Sequence, residues 1–330
     1  MRPFKTTVGI TLVLLTSVVA GNAFGQATPG KIAEVKPREA PWVAPHPLRF
    51  QIGSLLVGRI NPLGLEWQVR AGLAQTLYDH PHPAFRDNFL FFGLGYKINP
   101  AFIKIGPTLE FQPFSMLNLR FGVELMKWFG TFGYLQSFGS PVEEYSDTQL
   151  ANNAKAGLNY TPVGMHAYFE PTLQARFGPV VIRNRFSVEY FNMNTHAGDT
   201  VWYDITLDTL VPSNGLVLSD DLDLLYLHRF KSKPTAQLAL GARYSWVDPL
   251  YNTTDFRPGE SLGKVKNEHM RVGPIAAYTF FDRGNARFNR PTLILIVNWY
   301  VEHRYRTGAD VNQGVPYLVL GFAFNSDFAQ

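Results

Sequence analysis

Apolar and polar residues alternate along most of the chain with a period of two. In residues 102–112, Lys104 and Glu110 occupy even positions, whereas Ile105 and Leu109 occupy odd positions. Side chains of a β-strand point alternately to its two faces, so this period predicts strands with one apolar face and one polar face.

The same alternation predicts about twelve strands, and hence an all-β fold: a closed antiparallel transmembrane β-barrel. Ten or fourteen strands also fit, because the turns at Asn61-Pro62 and Asn99-Pro100 are short although a count of twelve places them beside long loops. The predicted strands cover residues 49–59, 65–77, 88–98, 102–113, 117–125, 169–177, 182–190, 218–230, 238–246, 270–281, 295–301 and 318–324.

The predicted connections differ in length on the two sides of the sheet. Long links lie near residues 134–164, 194–217 and 248–268, whereas the turns at residues 113–116 and 178–179 are short. Short turns on one side and long loops on the other are typical of bacterial outer-membrane barrels. An even strand number also returns both ends of the barrel to the periplasmic side.

The polar face has the composition of a crowded interior. It mixes glycine and alanine with arginine, glutamate, glutamine and asparagine, and only 17% of all residues are charged, compared with roughly 25% in soluble domains. Small residues next to long polar ones suit a lumen. We therefore expect the apolar face to meet lipid, where closing the sheet removes unpaired edges. A soluble barrel or sandwich is the alternative.

The first residues have the pattern of an export signal. Arg2 and Lys5 precede an apolar run over residues 8–20, and small residues follow at Ala23 and Gly25. This predicts a signal peptide over residues 1–25, a proline-rich periplasmic lead-in over 26–47 and the barrel over 48–330. The net charge of +4 is diffuse and predicts no nucleic-acid partner, and the absence of cysteine excludes disulfides and thiolate chemistry.

The signal peptide, the alternating segments and the aromatic strand ends resemble the outer-membrane β-barrel superfamily over residues 48–328. This resemblance implies a place in the Gram-negative outer membrane, contact with its lipid, and recognition of a terminal aromatic residue by the barrel assembly machinery. Here Phe328 is followed by Ala329 and Gln330. Aromatic girdles at the lipid interface would use Tyr78, Trp128, Tyr226, Trp246, Tyr278 and Trp299.

The polar face supplies the candidate functional residues. The leading hypothesis is a porin-like passive channel for small solutes, with a constriction at Arg176, Arg183 and Arg185. The alternative is a plugged structural or surface-interaction barrel that uses its long extracellular loops. The solute and the oligomeric state are left open. The candidate lumen residues are Glu66, Arg70, Lys104, Glu110, Arg120, Glu124, Glu170, Arg176, Arg183, Arg185, Glu189, Arg243, Arg271, Glu302 and Arg304.

The sequence predicts no catalytic residue, metal or cofactor. A histidine followed two positions later by serine, the motif of barrel phospholipases, does not occur. His196 with Asp199 could imitate the acidic centre of a barrel protease, so an outer-membrane hydrolase is a third hypothesis. Asp220, Asp221 and Asp223 could bind calcium, but the segment lacks the glycine and glutamate of a calcium loop, which favours a solvated loop end.

Overall fold

The computed structural model describes residues 47–80, 82, 84–129, 135–261, 263, 266–283, 287–309 and 311–329. The predicted signal peptide, and the predicted lead-in except for residue 47, lie outside these residues. In the part of the chain so described, no helix is long and apolar enough to span a membrane.

Twelve strands of the described chain close into one antiparallel barrel, which confirms the predicted fold class and strand number. Each strand pairs with its neighbours along the chain, and the last pairs with the first. The strands are β1 (Leu48–Ile60), β2 (Gly64–Gln75), β3 (Phe89–Ile98), β4 (Phe102–Phe114), β5 (Leu117–Trp128), β7 (Val163–Phe177), β8 (Val180–Met193), β11 (Asn214–Phe230), β12 (Lys233–Leu250), β13 (His269–Thr279), β14 (Asn289–Glu302) and β15 (Tyr317–Ala329).

The long links contain secondary structure of their own. A second sheet consists of β6 (Ser137–Phe138), β9 (Val201–Asp204) and β10 (Thr209–Pro212). The link between β5 and β7 also carries helix α1 (Asp147–Lys155), and a 3-10 turn spans Thr253–Asp255. Ser146 caps α1 by accepting a hydrogen bond from the Gln149 N–H, as serine commonly does at this position.

The two ends of the barrel differ as the sequence predicts. At one end, here called the loop end, lie the links from β5 to β7, β8 to β11, β12 to β13 and β14 to β15. At the other, the turn end, β1 begins, β15 ends, and tight turns join β4 to β5, β7 to β8 and β11 to β12. The short turns after β1 and β3 do lie at the loop end, so they are compatible with twelve strands.

The alternating residues occupy the two faces of the wall. On β4, Leu109 is 39% exposed whereas Glu110 is 3% exposed, and Ile105 and Lys104 show the same contrast. The apolar side chains thus point outward and the polar ones inward, the reverse of a water-soluble barrel.

Some strands approach each other so closely that only glycine fits. A Cβ atom on Gly106 would collide with the carbonyl oxygen of Val123, and one on Gly241 with that of Leu224. Glycine inside a strand commonly marks such a close backbone approach, and here it allows β4 to lie against β5 and β12 against β11.

Candidate functional site

The hairpin formed by β9 and β10 crosses the mouth of the barrel at the loop end. It leaves the wall between β8 and β11, and β1 lies halfway round the barrel from β8. Arg59 of β1 nevertheless donates hydrogen bonds to the carbonyl oxygens of Ile205 and Thr206 at the hairpin tip, at 2.8 and 3.0 Å. The hairpin therefore spans the full width of the mouth.

An apolar core lies beneath this hairpin. Trp202 of β9 is fully buried and meets the rings of Trp128 and Phe191, with centroid distances of 6.2 and 5.5 Å. Phe102 lies beside Trp128, at 5.0 Å. The prediction that Trp128 belongs to a lipid girdle is therefore wrong, because its ring is 2% exposed and packs inside the mouth. Packed side chains thus fill the space beneath the hairpin, and the remaining buried members of this core are Ala101, Met126, Leu135, Met193, Val211, Val217 and Val247.

A buried carboxylate fastens the hairpin tip to the wall. Asp208 accepts hydrogen bonds from the hydroxyls of Tyr203 and Tyr300, at 2.7 and 2.8 Å, and from Arg306 Nε, at 3.0 Å. His303 Nε2 lies 3.2 Å from the same carboxylate. We call these five residues the Asp208 latch.

The latch holds Asp208 in its charged form. His303 Nδ1 accepts the backbone N–H groups of Tyr305 and Arg306, so its proton is on Nε2 and points at Asp208. Burial alone would raise the pKa of Asp208, but the hydrogen bonds from His303 and Arg306 outweigh burial and hold this pKa well below its ordinary value.

A first belt of charged side chains lies along the lumen wall across β2, β4, β5 and β7. Arg70 pairs with Glu110, and Arg120 lies 3.4 Å from Glu110 and 2.9 Å from Glu170. The side chains of Arg70 and Arg120 are 32% and 31% exposed. These side chains thus combine an ion pair with partial contact to solvent.

A second belt spans β8, β11 and β12. Arg183 Nη2 lies 2.5 Å from Asp223, Arg243 Nε lies 2.7 Å from the same carboxylate, and Arg185 pairs with Asp221. Asp223 is 1% exposed, whereas Arg183 and Arg185 keep 39% and 46% of their side-chain surface exposed. Acidic residues therefore neutralise part of the positive group that the sequence analysis singled out.

A histidine contacts two glutamates beside the apolar core that lies beneath the hairpin. His166 Nδ1 lies 3.0 Å from Glu124 and His166 Nε2 lies 2.9 Å from Glu189. Lys97 binds Glu124 at 3.0 Å. His166 of β7 thus links the carboxylates of the two neighbouring strands, Glu124 of β5 and Glu189 of β8.

The remaining candidate residues lie in different surroundings. Glu66 accepts a hydrogen bond from Gln68, and Lys104 is buried between the rings of Phe102 and Phe191. Arg271 lies over the ring of Tyr317.

Three candidates lie away from the belts. Arg176 is exposed beside the turn at Gly178, apart from Arg183 and Arg185. Glu302 pairs with Lys266 at the rim. Arg304 follows the end of β14 and binds the carbonyl oxygen of Val142, so it joins two links of the mouth.

Sequence reasoning missed the acidic partners of the second belt. The prediction of a solvated loop end around Asp220 is wrong, because Asp221 and Asp223 lie inside β11 and face the lumen. The available signal was the alternation of Asp221 and Asp223 with Leu222 and Leu224, which is the period of a strand with one polar face. Lys97 and His166 were also missed, although each is on the polar face of its strand.

The residues considered for catalysis are arranged differently from a hydrolase centre. Ser137 Oγ donates to Asp199, at 2.5 Å, while His196 reaches Ser137 through its backbone N–H. The His196 ring lies against Tyr160, with centroids 3.9 Å apart. No group of three or more acidic, histidine or cysteine residues in the described chain has a geometry suited to a metal ion.

The closed wall, its apolar exterior and its charged interior define the class of protein: a β-barrel of the bacterial outer membrane. No protein-family model matches the chain, and no curated protein matches it.

Several solved structures are similar to the chain, at low identity. The β domain of the Bordetella autotransporter BrkA has a TM-score of 0.42 and 11% identity, covering 85% of this chain and 98% of that one. An outer-membrane channel from Pseudomonas putida has a TM-score of 0.41 and 9% identity, covering 89% and 100%. The translocator domain of the Neisseria meningitidis autotransporter NalP has a TM-score of 0.39 and 10% identity, covering 86% and 88%. These similarities assign no activity to this chain.

Proposed function

We propose that the protein is a channel for small solutes whose mouth is closed at the loop end by the β9–β10 hairpin. The observation that carries this proposal is the contrast between the two levels of the lumen. Trp202 and its neighbours are fully buried in the mouth, whereas four of the five belt arginines keep 31% to 46% of their side-chain surface exposed; the fifth, Arg243, is 13% exposed. A barrel that served only as a solid scaffold would have little use for solvated charges at this level.

The hairpin is attached in a way that permits its release. Its tip is held by polar groups, namely the Asp208 latch and the two hydrogen bonds from Arg59. Its strands belong to the second sheet and form no ladder with the barrel wall. Displacing the hairpin therefore leaves all twelve wall strands paired.

Single-channel recording in planar lipid bilayers tests the proposal. A variant with residues 201–212 replaced by a short glycine-serine linker should give large, uniform conductance steps, whereas the wild type should show rare or small openings. The fold of both proteins is checked by their heat-dependent mobility on gels. A folded variant without the hairpin that remains silent in the bilayer would sink the channel proposal.

A surface-interaction role is the second candidate, favoured by helix α1. None of its residues is buried, yet Arg306 binds Asp147 at its first turn, at 2.6 Å. The helix is thus joined to the link after β14 by an exposed ion pair, while its side chains stay accessible. Deleting residues 147–155 should then abolish binding to cells or matrix proteins with the barrel fold intact, and unchanged binding would contradict this role.

We propose no catalytic step for the chain. Both ring nitrogens of His166 are taken up by glutamates, and the Ser137 hydroxyl is bonded to a carboxylate and not to an imidazole. Activation of a hydroxyl by a histidine general base requires a hydrogen bond between the hydroxyl and the imidazole. Turnover of a lipid or peptide substrate by the purified barrel, lost on His166→Gln, would overturn this part of the proposal.

A further inference from the structure

Arg271 is a buried cation whose surroundings differ from those of the belt arginines. It lies on the lumen face of β13, is 9% exposed, and has its guanidinium carbon 4.0 Å from the ring centroid of Tyr317 and 5.7 Å from that of Tyr300. Within the described residues no carboxylate or hydrogen-bond acceptor contacts this guanidinium, and its Nε is buried without a partner.

The acidic residues of this part of the lumen are already engaged. Asp221 pairs with Arg185 and Arg243 and accepts a hydrogen bond from Ser245, at 2.6 Å. Asp208 is held within its latch. Burying a charge without a directly paired counter-charge costs free energy, so an anion from outside the chain would stabilise Arg271 in this position.

The neighbouring charges also favour an anion. The four arginines and two aspartates of this region have a net charge of 4 − 2 = +2. The partly exposed side chains of Arg183 and Arg185 provide a positively charged approach from the lumen, which attracts anions and repels cations. The six residues are Arg183, Arg185, Arg243, Arg271, Asp221 and Asp223.

Asn298 is a second buried polar residue in this region, two positions before Tyr300 on β14, and Tyr300 lies opposite Arg271 in the ladder. Asn298 is 1% exposed, it lies opposite Tyr317 in the ladder between β14 and β15, and its Oδ1 has no hydrogen-bond partner within the described chain. A side-chain amide can turn to present either its oxygen or its two N–H donors. Turned toward Arg271, it would donate to the same anion.

We propose that Arg271, Asn298 and Tyr317 form a binding site for a small oxyanion inside the lumen. This inference rests on the proposed channel function and deepens it, because it assigns anionic solutes to that channel. The ligand group is a carboxylate or a phosphate, since the planar guanidinium matches both with paired hydrogen bonds. The site lies directly below the mouth, because the Tyr300 ring beside Arg271 belongs to the Asp208 latch.

Isothermal titration calorimetry of the folded full-length barrel in detergent tests this site. Sodium phosphate and sodium acetate are titrated separately against sodium chloride at matched ionic strength. Saturable binding of either anion is expected, and binding of only one identifies whether the solute is recognised by phosphate or by carboxylate. The absence of saturable binding of both would overturn the site.

Variants locate the binding. Arg271→Gln should weaken it by about tenfold or more, as expected for the loss of charge-assisted hydrogen bonds. Arg271→Lys keeps the charge but loses the paired N–H groups of the guanidinium, so it should weaken anion binding less. Arg176→Gln removes an exposed arginine at the turn end and should change nothing. Wild-type affinity in both Arg271 variants would place the anion elsewhere and overturn the proposal.

This experiment separates the site from the channel. A barrel that binds phosphate or acetate through Arg271 but stays silent without its hairpin keeps the site and loses the channel proposal. A barrel that conducts without binding keeps the channel and loses the site. Heat-dependent gel mobility confirms that each variant tested is folded.

Discussion

At the level of single residues, Asp208 is the buried charge that fastens the hairpin tip to the wall. Its charge is buried among Tyr203, Tyr300, His303 and Arg306. Removing one partner of a buried ion pair typically costs about 3–5 kcal/mol, because the other charge is left unpaired. We expect Asp208→Asn to weaken hairpin docking by about that amount, measured as faster hydrogen exchange of the amides in residues 201–212.

Asp147→Asn is the matched control, because Asp147 binds the same arginine from the surface. Its side chain is 69% exposed, and exposed ion pairs contribute at most about 1 kcal/mol. If hydrogen exchange of the hairpin amides accelerated equally in both variants, burial of Asp208 would not be the reason for its contribution to docking.

The same carboxylate sets a pH dependence for the mouth. The folded-state pKa of Asp208 is held well below its ordinary value, which is about 3.9 in an unfolded chain. Its contribution is therefore fully present above about pH 4 and is lost as pH falls below that value. The protection of the amides in residues 201–212 against hydrogen exchange should be constant from about pH 5 to 8 and should decline in more acidic buffer.

Asp208→Asn is the reference for this titration, since other carboxylates also protonate in acid. The difference in hairpin exchange between wild type and variant should shrink only below about pH 4. A difference that shrinks already between pH 5 and 7 would contradict the assignment to Asp208.

The sequence predicted the lumen face better than it predicted which charges would pair. Period-two alternation identifies Arg183 and Arg185 as neighbours on one face, because that face follows from strand geometry alone. It does not tell which strand lies next to them in space. Asp221 and Asp223 meet them only because β11 pairs with β8 across a 20-residue link, in a register that brings Asp223 opposite Arg183.

At the level of elements, Gly106 shows how tightly the wall is built. A Cβ atom there would collide with the carbonyl oxygen of Val123 on β5. Overpacking of this kind costs about 1–3 kcal/mol. We expect Gly106→Ala to lower the urea midpoint of barrel unfolding, followed by tryptophan fluorescence in lipid vesicles.

Gly321→Ala is the corresponding control on β15. The nearest atom to a Cβ at this position would be 3.5 Å away, an ordinary van der Waals contact. Its unfolding midpoint should remain close to that of the wild type. A loss of stability as large as that of Gly106→Ala would mean that the collision at Val123 is not the cause.

The wall elements were predictable and the mouth elements were not. Twelve strands of ten or more residues repeat one alternating pattern, which is a strong signal. The hairpin strands have four residues each, too few for a period to show. The apolar composition of Val201–Trp202 and Leu210–Val211 was a usable signal, because four apolar residues in one link need a place to be buried.

At the level of the whole molecule, two kinds of contact build the barrel. Pairing between neighbouring strands closes the wall, and packing between the links fills the mouth. The wall follows from the requirement that each backbone amide in lipid be paired. The mouth depends on contacts between links far apart in the chain, such as Arg304 with Val142. Sequence patterns therefore identified the barrel, whereas the packing at its mouth emerged only when the links were placed together.

If the hairpin is the closing element, the charges below it should set the ion preference of the open barrel. Arg183, Arg185, Arg243 and Arg271 outnumber Asp221 and Asp223 by two charges. The variant without residues 201–212 should therefore prefer anions, measured as the reversal potential across a potassium chloride gradient.

Replacing Arg183 and Arg185 by glutamine in that variant leaves two arginines against two aspartates, so these residues change from +2 to 2 − 2 = 0. The reversal potential should shift toward cation preference, because fixed charges along a narrow lumen act on permeating ions at close range. Arg257→Gln is the control, since Arg257 pairs with Glu143 in a link at the loop end. An unshifted potential in the double variant would mean that ions bypass the second belt, and that the conducting path lies elsewhere in the barrel.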